Sequence, residues 1–314
     1  MQYERVRNWT VGTETVTALR VAGDGKRVLV GKADGTCGVW DLSIGEYLGC
    51  FRVHNKAITD CSWSHDDTFI ITASDDALII LWEASLQKCT KILKGHCSSV
   101  ICCCTNGSNS LIASGSFDET VRLWSALSGE CTAVIPAHAD PVTSVNFAKD
   151  DTLLFSTSID GSCRIWDVNT CGCLYTISLN SYKHLTNVLF SSRLTSVLLG
   201  THDGLLCRVR LRDGTIAPIL SGIRATEILH VSQLEPDCDT LVVGTKKDQF
   251  VAWRLRDLYR DTSEENVCEI KFMMKSDQCA RGPRLFDCTN DGCMVVVCER
   301  HEISVYQVSH DIAF

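Results

Sequence analysis

Gly115-Ser116-Phe117-Asp118-Glu119-Thr120-Val121-Arg122-Leu123-Trp124 decides how this chain is read, because its skeleton, an Asp followed six residues later by a Trp, recurs. Asp34 and Trp40, Asp76 and Trp82, Asp118 and Trp124, and Asp160 and Trp166 are four copies, and successive tryptophans stand 42 residues apart. A period of roughly 40 to 45 residues marks a supersecondary unit that buries its core only by stacking on its neighbours.

The copies also carry a Gly-His early, as at Gly95-His96, and a Trp-Asp late, as at Trp166-Asp167. With this period the chain resembles the WD-repeat family, and the resemblance implies an all-β fold, a seven-bladed WD-repeat β-propeller. Dividing 314 residues by 42 leaves seven units and twenty residues over, so a single seven-bladed propeller over 1–314 accounts for the length. With 45% hydrophobic residues and five prolines nothing reads as disordered, and a chain of this size buries about 75% of its unfolded surface.

A formal net charge of −8 argues against direct binding of nucleic acid through phosphate neutralisation, which calls for clustered Lys and Arg. Arg208, Arg210 and Arg212 alternate with Val209 and Leu211, and a period of two puts the arginines on one strand face. That face is read as solvated, with an acidic partner patch as the sharper alternative. Met1 to Arg7 has no apolar signal core, and no run of about 18 apolar residues could span a bilayer. The expectation is an intracellular protein without membrane partners.

Nineteen cysteines in an intracellular chain need an explanation other than disulfides. Cys37 and Cys163 share the period position of Ile79 and Val121, and Cys61 and Cys103 that of Val145. Cys therefore replaces small apolar side chains inside strands. Cys102-Cys103-Cys104 and Cys171-x-Cys173 lack the paired spacing of a zinc site, so no metal and no cofactor is expected.

Tyr3 to Trp9 precedes the first unit, has strand alternation, and in this family would be the N-terminal strand that closes the ring by completing the last blade. The first unit runs Val16 to Val21, a turn at Gly23-Asp24-Gly25, Val28 to Lys32, and Thr36 to Asp41. Units two to four add a histidine (His54, His96, His138) and a hydroxyl (Thr72, Ser114, Ser156) to the Asp (Asp76, Asp118, Asp160) and the Trp (Trp82, Trp124, Trp166). Buried imidazole, carboxylate and indole each need a hydrogen-bond partner, and one such set can satisfy itself, which is the tetrad of this family. His96, Ser114 and Asp118 are also the residue types of a nucleophilic triad, but the set recurs in neighbouring units and an enzyme needs one site. No catalytic residue is assigned.

From residue 180 the period loosens. Asp203 to Val209 is a fifth unit without its Trp, Lys247 to Trp253 a sixth with a shortened turn, and the seventh ends at Tyr306, 53 residues beyond Trp253. The excess falls in loops, chiefly Arg256 to Asn266 and the turn around Arg281-Gly282-Pro283. Long loops on a rigid scaffold are common partner sites, and a neutral insertion is the blander reading.

The period also predicts who lines the mouth of a central channel. The residue before each turn Asp forms one ring: Ala33, Asp75, Phe117, Ile159 and His202. The start of each innermost strand forms another: Thr17, Thr59, Ile101 and Thr143.

Ser64 to Leu174 carries Thr72-Ala73-Ser74-Asp75-Asp76, Gly115 to Trp124, Ala137-His138-Ala139-Asp140-Pro141-Val142 and Asp160 to Asp167. This run resembles the WD-repeat adaptor subunit of Set/MLL-type (COMPASS-like) histone H3 lysine methyltransferase complexes, in its fungal-type form. The resemblance implies a nuclear, non-catalytic scaffold that holds the Set-domain methyltransferase subunit and a second WD-repeat subunit, with the histone H3 tail as a weaker partner. It also implies a mouth that grips an arginine between two aromatic rings. Asp75, Phe117, Thr59, Thr143 and Ala33 match that pocket, while Ile101 and Ile159 stand where the family has aromatics. Two alternatives stay open: a WD-repeat adaptor of another intracellular complex, in RNA processing, cilia or ubiquitin ligation, and a propeller enzyme or metal-dependent hydrolase, which needs acidic or His clusters at the channel where His202 and Asp75 alone are too few.

Overall fold

The computed structural model describes residues 2–52, 54–85, 88–179, 184–191, 196–212, 214–220, 228–234, 240–245, 250–254, 284–289, 294–299 and 301–309. Arg256 to Asn266, Arg281 to Pro283 and the turn residues Lys247 to Gln249 lie outside these residues. The regular elements described are all strands, arranged in antiparallel sheets.

β1 (Gln2–Thr10) comes first, and the first sheet follows as β2 (Val16–Val21), β3 (Arg27–Lys32), β4 (Thr36–Asp41) and β5 (Tyr47–Arg52). The second holds β6 (Ile58–Trp63), β7 (Phe69–Ser74), β8 (Leu78–Glu83) and β9 (Lys88–Lys94). β10 (Val100–Thr105), β11 (Leu111–Ser116), β12 (Thr120–Ser125) and β13 (Cys131–Pro136) form the third. β14 (Val142–Phe147), β15 (Leu153–Ser158), β16 (Ser162–Asp167) and β17 (Cys173–Ser178) form the fourth. The fifth is β18 (Leu185–Ser191), β19 (Ser196–Thr201), β20 (Leu206–Arg210) and β21 (Ile216–Leu220). The sixth has, among the described residues, β22 (Ile228–Leu234), β23 (Thr240–Thr245) and β24 (Phe250–Arg254). In the last, β25 (Arg284–Cys288), β26 (Met294–Glu299) and β27 (Glu302–Ser309) are joined by β1 in the order β1-β27-β26-β25.

Innermost strands pack in sequence: β2 on β6, β6 on β10, β10 on β14, β14 on β18, β18 on β22, β22 on β25, and β25 on β2. Sheets of this kind packed through their first strands give the architecture of a β-propeller.

The turns explain why the Asp of the repeat is needed. Asp34, Asp76, Asp118 and Asp160 each accept the backbone N–H two residues on, from Thr36, Leu78, Thr120 and Ser162, at 3.0, 3.1, 3.1 and 2.8 Å. An Asp side chain that mimics a backbone turn in this way closes the link between the second and third strands. The Trp six residues on sits at a register shift against the outermost strand, between Val39 and Trp40, Leu81 and Trp82, Leu123 and Trp124, and Ile165 and Trp166.

Cores form between sheets. One cluster joins Ile71, Ile79 and Leu81 of the second sheet to Val100, Ile112 and Trp124 of the third. Another joins Val28, Val30 and Trp40 of the first to Val296, Ile303 and Val305 of the last. Cys37, Cys61, Cys103 and Cys163 are buried in these layers, and burial pushes their thiols well above the usual range. Along the innermost strands Arg20 pairs with Asp60 at 3.0 Å, and Asp287 accepts the Val21 N–H at 2.8 Å. Burial raises both carboxyls against the pull of Arg20. The arginine stripe differs from the sequence reading. β20 ends at Arg210, so Arg212 lies in the turn beyond it, and Arg208 Nε donates to Ser196 Oγ at 3.0 Å.

Candidate functional site

The histidine, hydroxyl, Asp and Trp of sheets two to four come together three times. In the third sheet His96 Nδ1 lies 2.8 Å from Asp118 Oδ2, His96 Nε2 lies 2.8 Å from Ser114 Oγ, and Trp124 Nε1 donates to Ser114 Oγ at 2.9 Å. The second sheet repeats this with His54–Asp76 at 3.0 Å, His54–Thr72 at 2.8 Å and Trp82–Thr72 at 3.0 Å. In the fourth, His138–Asp160, His138–Ser156 and Trp166–Ser156 measure 3.0, 2.8 and 2.9 Å.

One proton assignment satisfies each set. The indole N–H already donates to the hydroxyl oxygen, so the hydroxyl proton goes to Nε2 of a neutral imidazole, whose Nδ1–H goes to the carboxylate. Burial lowers the imidazoles of His96 and His138, and the facing carboxylates only partly offset it. Burial works the other way on Asp118, yet hydrogen bonds from Thr120, the Cys97 amide and His96 hold that carboxyl down at about 2. The relation of Ser114, His96 and Asp118 is that of a nucleophilic triad, but Ser114 is 0% exposed and its oxygen faces the indole.

The two predicted mouth rings lie at one end of the sheets. The amides of Ala33, Asp75, Phe117, Ile159 and His202 donate to the carbonyls of Thr15, Ala57, Ser99, Pro141 and His184 at 2.9, 3.0, 2.8, 3.2 and 2.9 Å. Two residues after each of those carbonyls the innermost strand shifts register: at Thr17, Thr59, Ile101, Thr143 and Thr186. The sixth sheet shifts likewise at Leu229. A bulge leaves one residue unpaired and re-aims its side chain, so each of the first five sheets offers a bulge residue beside a turn residue. Thr186 and Leu229 escaped the sequence reading because one extra residue per unit breaks the step of 42. The step of 43 from Thr143 to Thr186 to Leu229 was the available signal.

The members differ in what they present. Phe117 is 56% exposed, Ala33, Asp75 and His202 are exposed, and Thr59, Ile101, Thr143 and Ile159 are half-buried. Asp75 accepts the Ser99 hydroxyl, Thr59 donates to the Val100 carbonyl of the next sheet, and Thr143 and Thr157 hydroxyls share a bond at 3.1 Å. Thr17 Oγ1 is buried with no hydrogen-bond partner among the described residues. His184, which the sequence reading passed over, contacts the Ile159 carbonyl through Nδ1 at 2.7 Å and sets its ring edge-on to His202, centroids 6.3 Å apart. Among the described residues the two rings, with His184, therefore carry one exposed aromatic ring, one exposed carboxylate and a pair of imidazoles, a surface for a protein segment.

The sequence model described as WD domain, G-beta repeat matches residues 4–41, 45–83, 87–125 and 129–167. No curated protein matches the chain. Each matched segment takes in the outermost strand of one sheet, beginning on it or within two residues of it, and ends on the third strand of the next, so sequence repeats interlock the sheets. With four such repeats, each running into the Trp of its sheet, this chain is a WD-repeat protein.

Proposed function

We propose that this protein is the non-catalytic scaffold of a COMPASS-like histone H3 lysine methyltransferase complex. In this reading it acts in the nucleus, as one closed seven-bladed ring over residues 1–314. It holds the Set-domain catalytic subunit and a second WD-repeat subunit, and contributes orientation and effective concentration to the reaction. WD repeats mark a protein-interaction scaffold. The observation that carries the finer reading is the mouth: Phe117 stands exposed and Asp75 lies at the same position one sheet earlier, as the family's arginine pocket implies.

Ile101 and Ile159 occupy aromatic positions of that pocket, so the grip on an arginine side chain, and with it the H3 tail, is weaker. Replacing one stacking ring by an aliphatic side chain costs on the order of 1 to 2 kcal/mol, about tenfold in affinity. The test is a fluorescence titration of the purified chain with an arginine-bearing H3 peptide, beside pairwise capture of the recombinant Set-domain and second WD-repeat subunits. The reading expects both subunits to bind, and Ile101→Phe to tighten the peptide about tenfold. Capture of neither subunit, with no gain for Ile101→Phe, would sink it and leave an adaptor of another complex.

A further inference from the structure

Arg122 on β12 and Arg164 on β16 stand 42 residues apart, at one position of the repeat. Two residues on, Trp124 shares a core with Ile71 and Ile79 of the second sheet, and Trp166 shares one with Val121 and Leu123 of the third. Alternate residues of a strand share a face. Arg122 therefore looks into the seam between the second and third sheets, and Arg164 into the seam between the third and fourth. The Arg122 guanidinium lies over Gly95, in the link from β9 to β10, where a Cβ would stand 2.5 Å from Nη1. Both arginines are half-buried, and both Nε atoms are buried without a hydrogen-bond partner. Neither guanidinium donates a hydrogen bond or joins an ion pair among the described residues. Their charge is felt nearby: beside burial and the opposing Asp118, Arg122 adds to the lowering of His96, as Arg164 does for His138 beside burial and Asp160.

The fold does not require a cation at this position. The first sheet has Gly38 there, packed under Trp40 and Tyr47, and the second has Ile80, 0% exposed. A half-buried guanidinium without an acceptor loses water contacts and gains nothing in exchange, so two of them mark a place where an acceptor arrives from outside. On the outermost strands Val134 stands opposite Arg122 and is 52% exposed, and Thr176 stands opposite Arg164 and is exposed. Opposite residues of an antiparallel pair share a face, so each guanidinium has an open side chain beside it. We propose that Arg122 and Arg164 dock an acidic segment of a partner protein, whose carboxylates pair with the two guanidiniums on either side of the third sheet. The planar fork of a guanidinium matches the two oxygens of a carboxylate. A net charge of −8 repels nucleic acid, and the exposed Val134 beside Arg122 suits a peptide better than a phosphate chain. This site uses none of the mouth residues and does not rest on the methyltransferase reading.

Fluorescence anisotropy of a labelled oligoglutamate peptide, titrated with the full chain, tests this. The peptide should bind at about 50 mM salt and be released as salt rises to about 500 mM. Arg122→Ile and Arg164→Ile should each weaken it about tenfold, the scale of one charge-assisted pair. Because Ile80 fills the same place in the second sheet, both variants should keep or raise the melting temperature of the parent. The proposal is overturned if the peptide does not bind, or if both variants bind it as the parent does. A lower melting temperature in both variants would also overturn it, since the arginines would then be part of the packing. Oligouridylate held more tightly than oligoglutamate, and lost in the same variants, would overturn it in favour of a nucleic acid.

Discussion

At Ser114 the chain assembles the parts of a nucleophilic triad and seals them inside a sheet. The Trp124 N–H takes the face of the hydroxyl oxygen that a substrate would need, and His96 is neutral, its one N–H on Nδ1 donated to the Asp118 carboxylate. Ser114→Ala would leave the His96 Nε2 and the Trp124 N–H buried without partners, each worth about 1 to 3 kcal/mol. We expect a loss of about 3 kcal/mol, read by urea unfolding; an unchanged midpoint would mean the set is not what holds the sheet. Acid should act on the same groups. Because burial depresses His96 and His138, the unfolded chain takes up their protons first, so stability is lost as pH falls below about 6.5. Asp118, held at about 2, adds a second loss as pH falls from about 4 toward that value. Melting temperatures flat between pH 7.5 and 5 would contradict the assignment of neutral, buried imidazoles.

At the scale of an element, the turn between second and third strands shows which substitutions the repeat tolerates. Gly35, Gly161 and Gly204 have positive φ where the second and third sheets have Ala77 and Glu119, at φ of 67° and 68°. An L-residue in this region costs about 1 to 2 kcal/mol, so Ala77→Gly should stabilise by about 1 kcal/mol in thermal unfolding. Gly35→Ala should do the reverse by about 2 kcal/mol or more, since its Cβ would meet the His54 carbonyl at 2.5 Å on top of the strain. If Ala77→Gly gives no gain, the turn relaxes differently in solution. The Asp and Trp of each unit were legible in the sequence because they recur at a fixed step. The bulges at Thr59, Ile101 and Thr143 were not, since a distortion repeated in every copy leaves the period unchanged. Asp67, Asn109 and Asp151 were hidden for another reason: they read as ordinary turn residues, and only the preceding sheet, whose turn N–H groups they accept, reveals their grip. The same limit misplaced Arg212, whose alternation with Arg210 runs on past the end of β20.

Across the whole molecule the decisive pairing is local to neither end of the chain. β1 pairs antiparallel with β27 over Gln2 to Thr10 against Ser309 to Glu302. In a closed ring this pairing covers an edge that would otherwise template aggregation. Removing residues 2–10 should lower the melting temperature by ten degrees or more on the order-of-magnitude scale of several kcal/mol, and bring on aggregation read by light scattering. A truncated chain that stays monomeric with the parent melting temperature would show that closure does not rest on β1. The strand was readable from Tyr3 to Trp9, and so was its place in the last sheet, because the seventh unit's end at Tyr306 falls within β27, which β1 joins. The mouth was legible in part: Ala33 to Ile159 follow the step of 42, whereas Thr186 and His184 lie beyond the point where it breaks.

The scaffold reading is tested most directly by purifying the tagged full chain from native extract and quantifying the proteins recovered by mass spectrometry. We predict a Set-domain methyltransferase and a second WD-repeat subunit at one-to-one stoichiometry with it. Recovery of a different machine, with neither subunit present, would contradict the account of function and leave the WD-repeat fold standing.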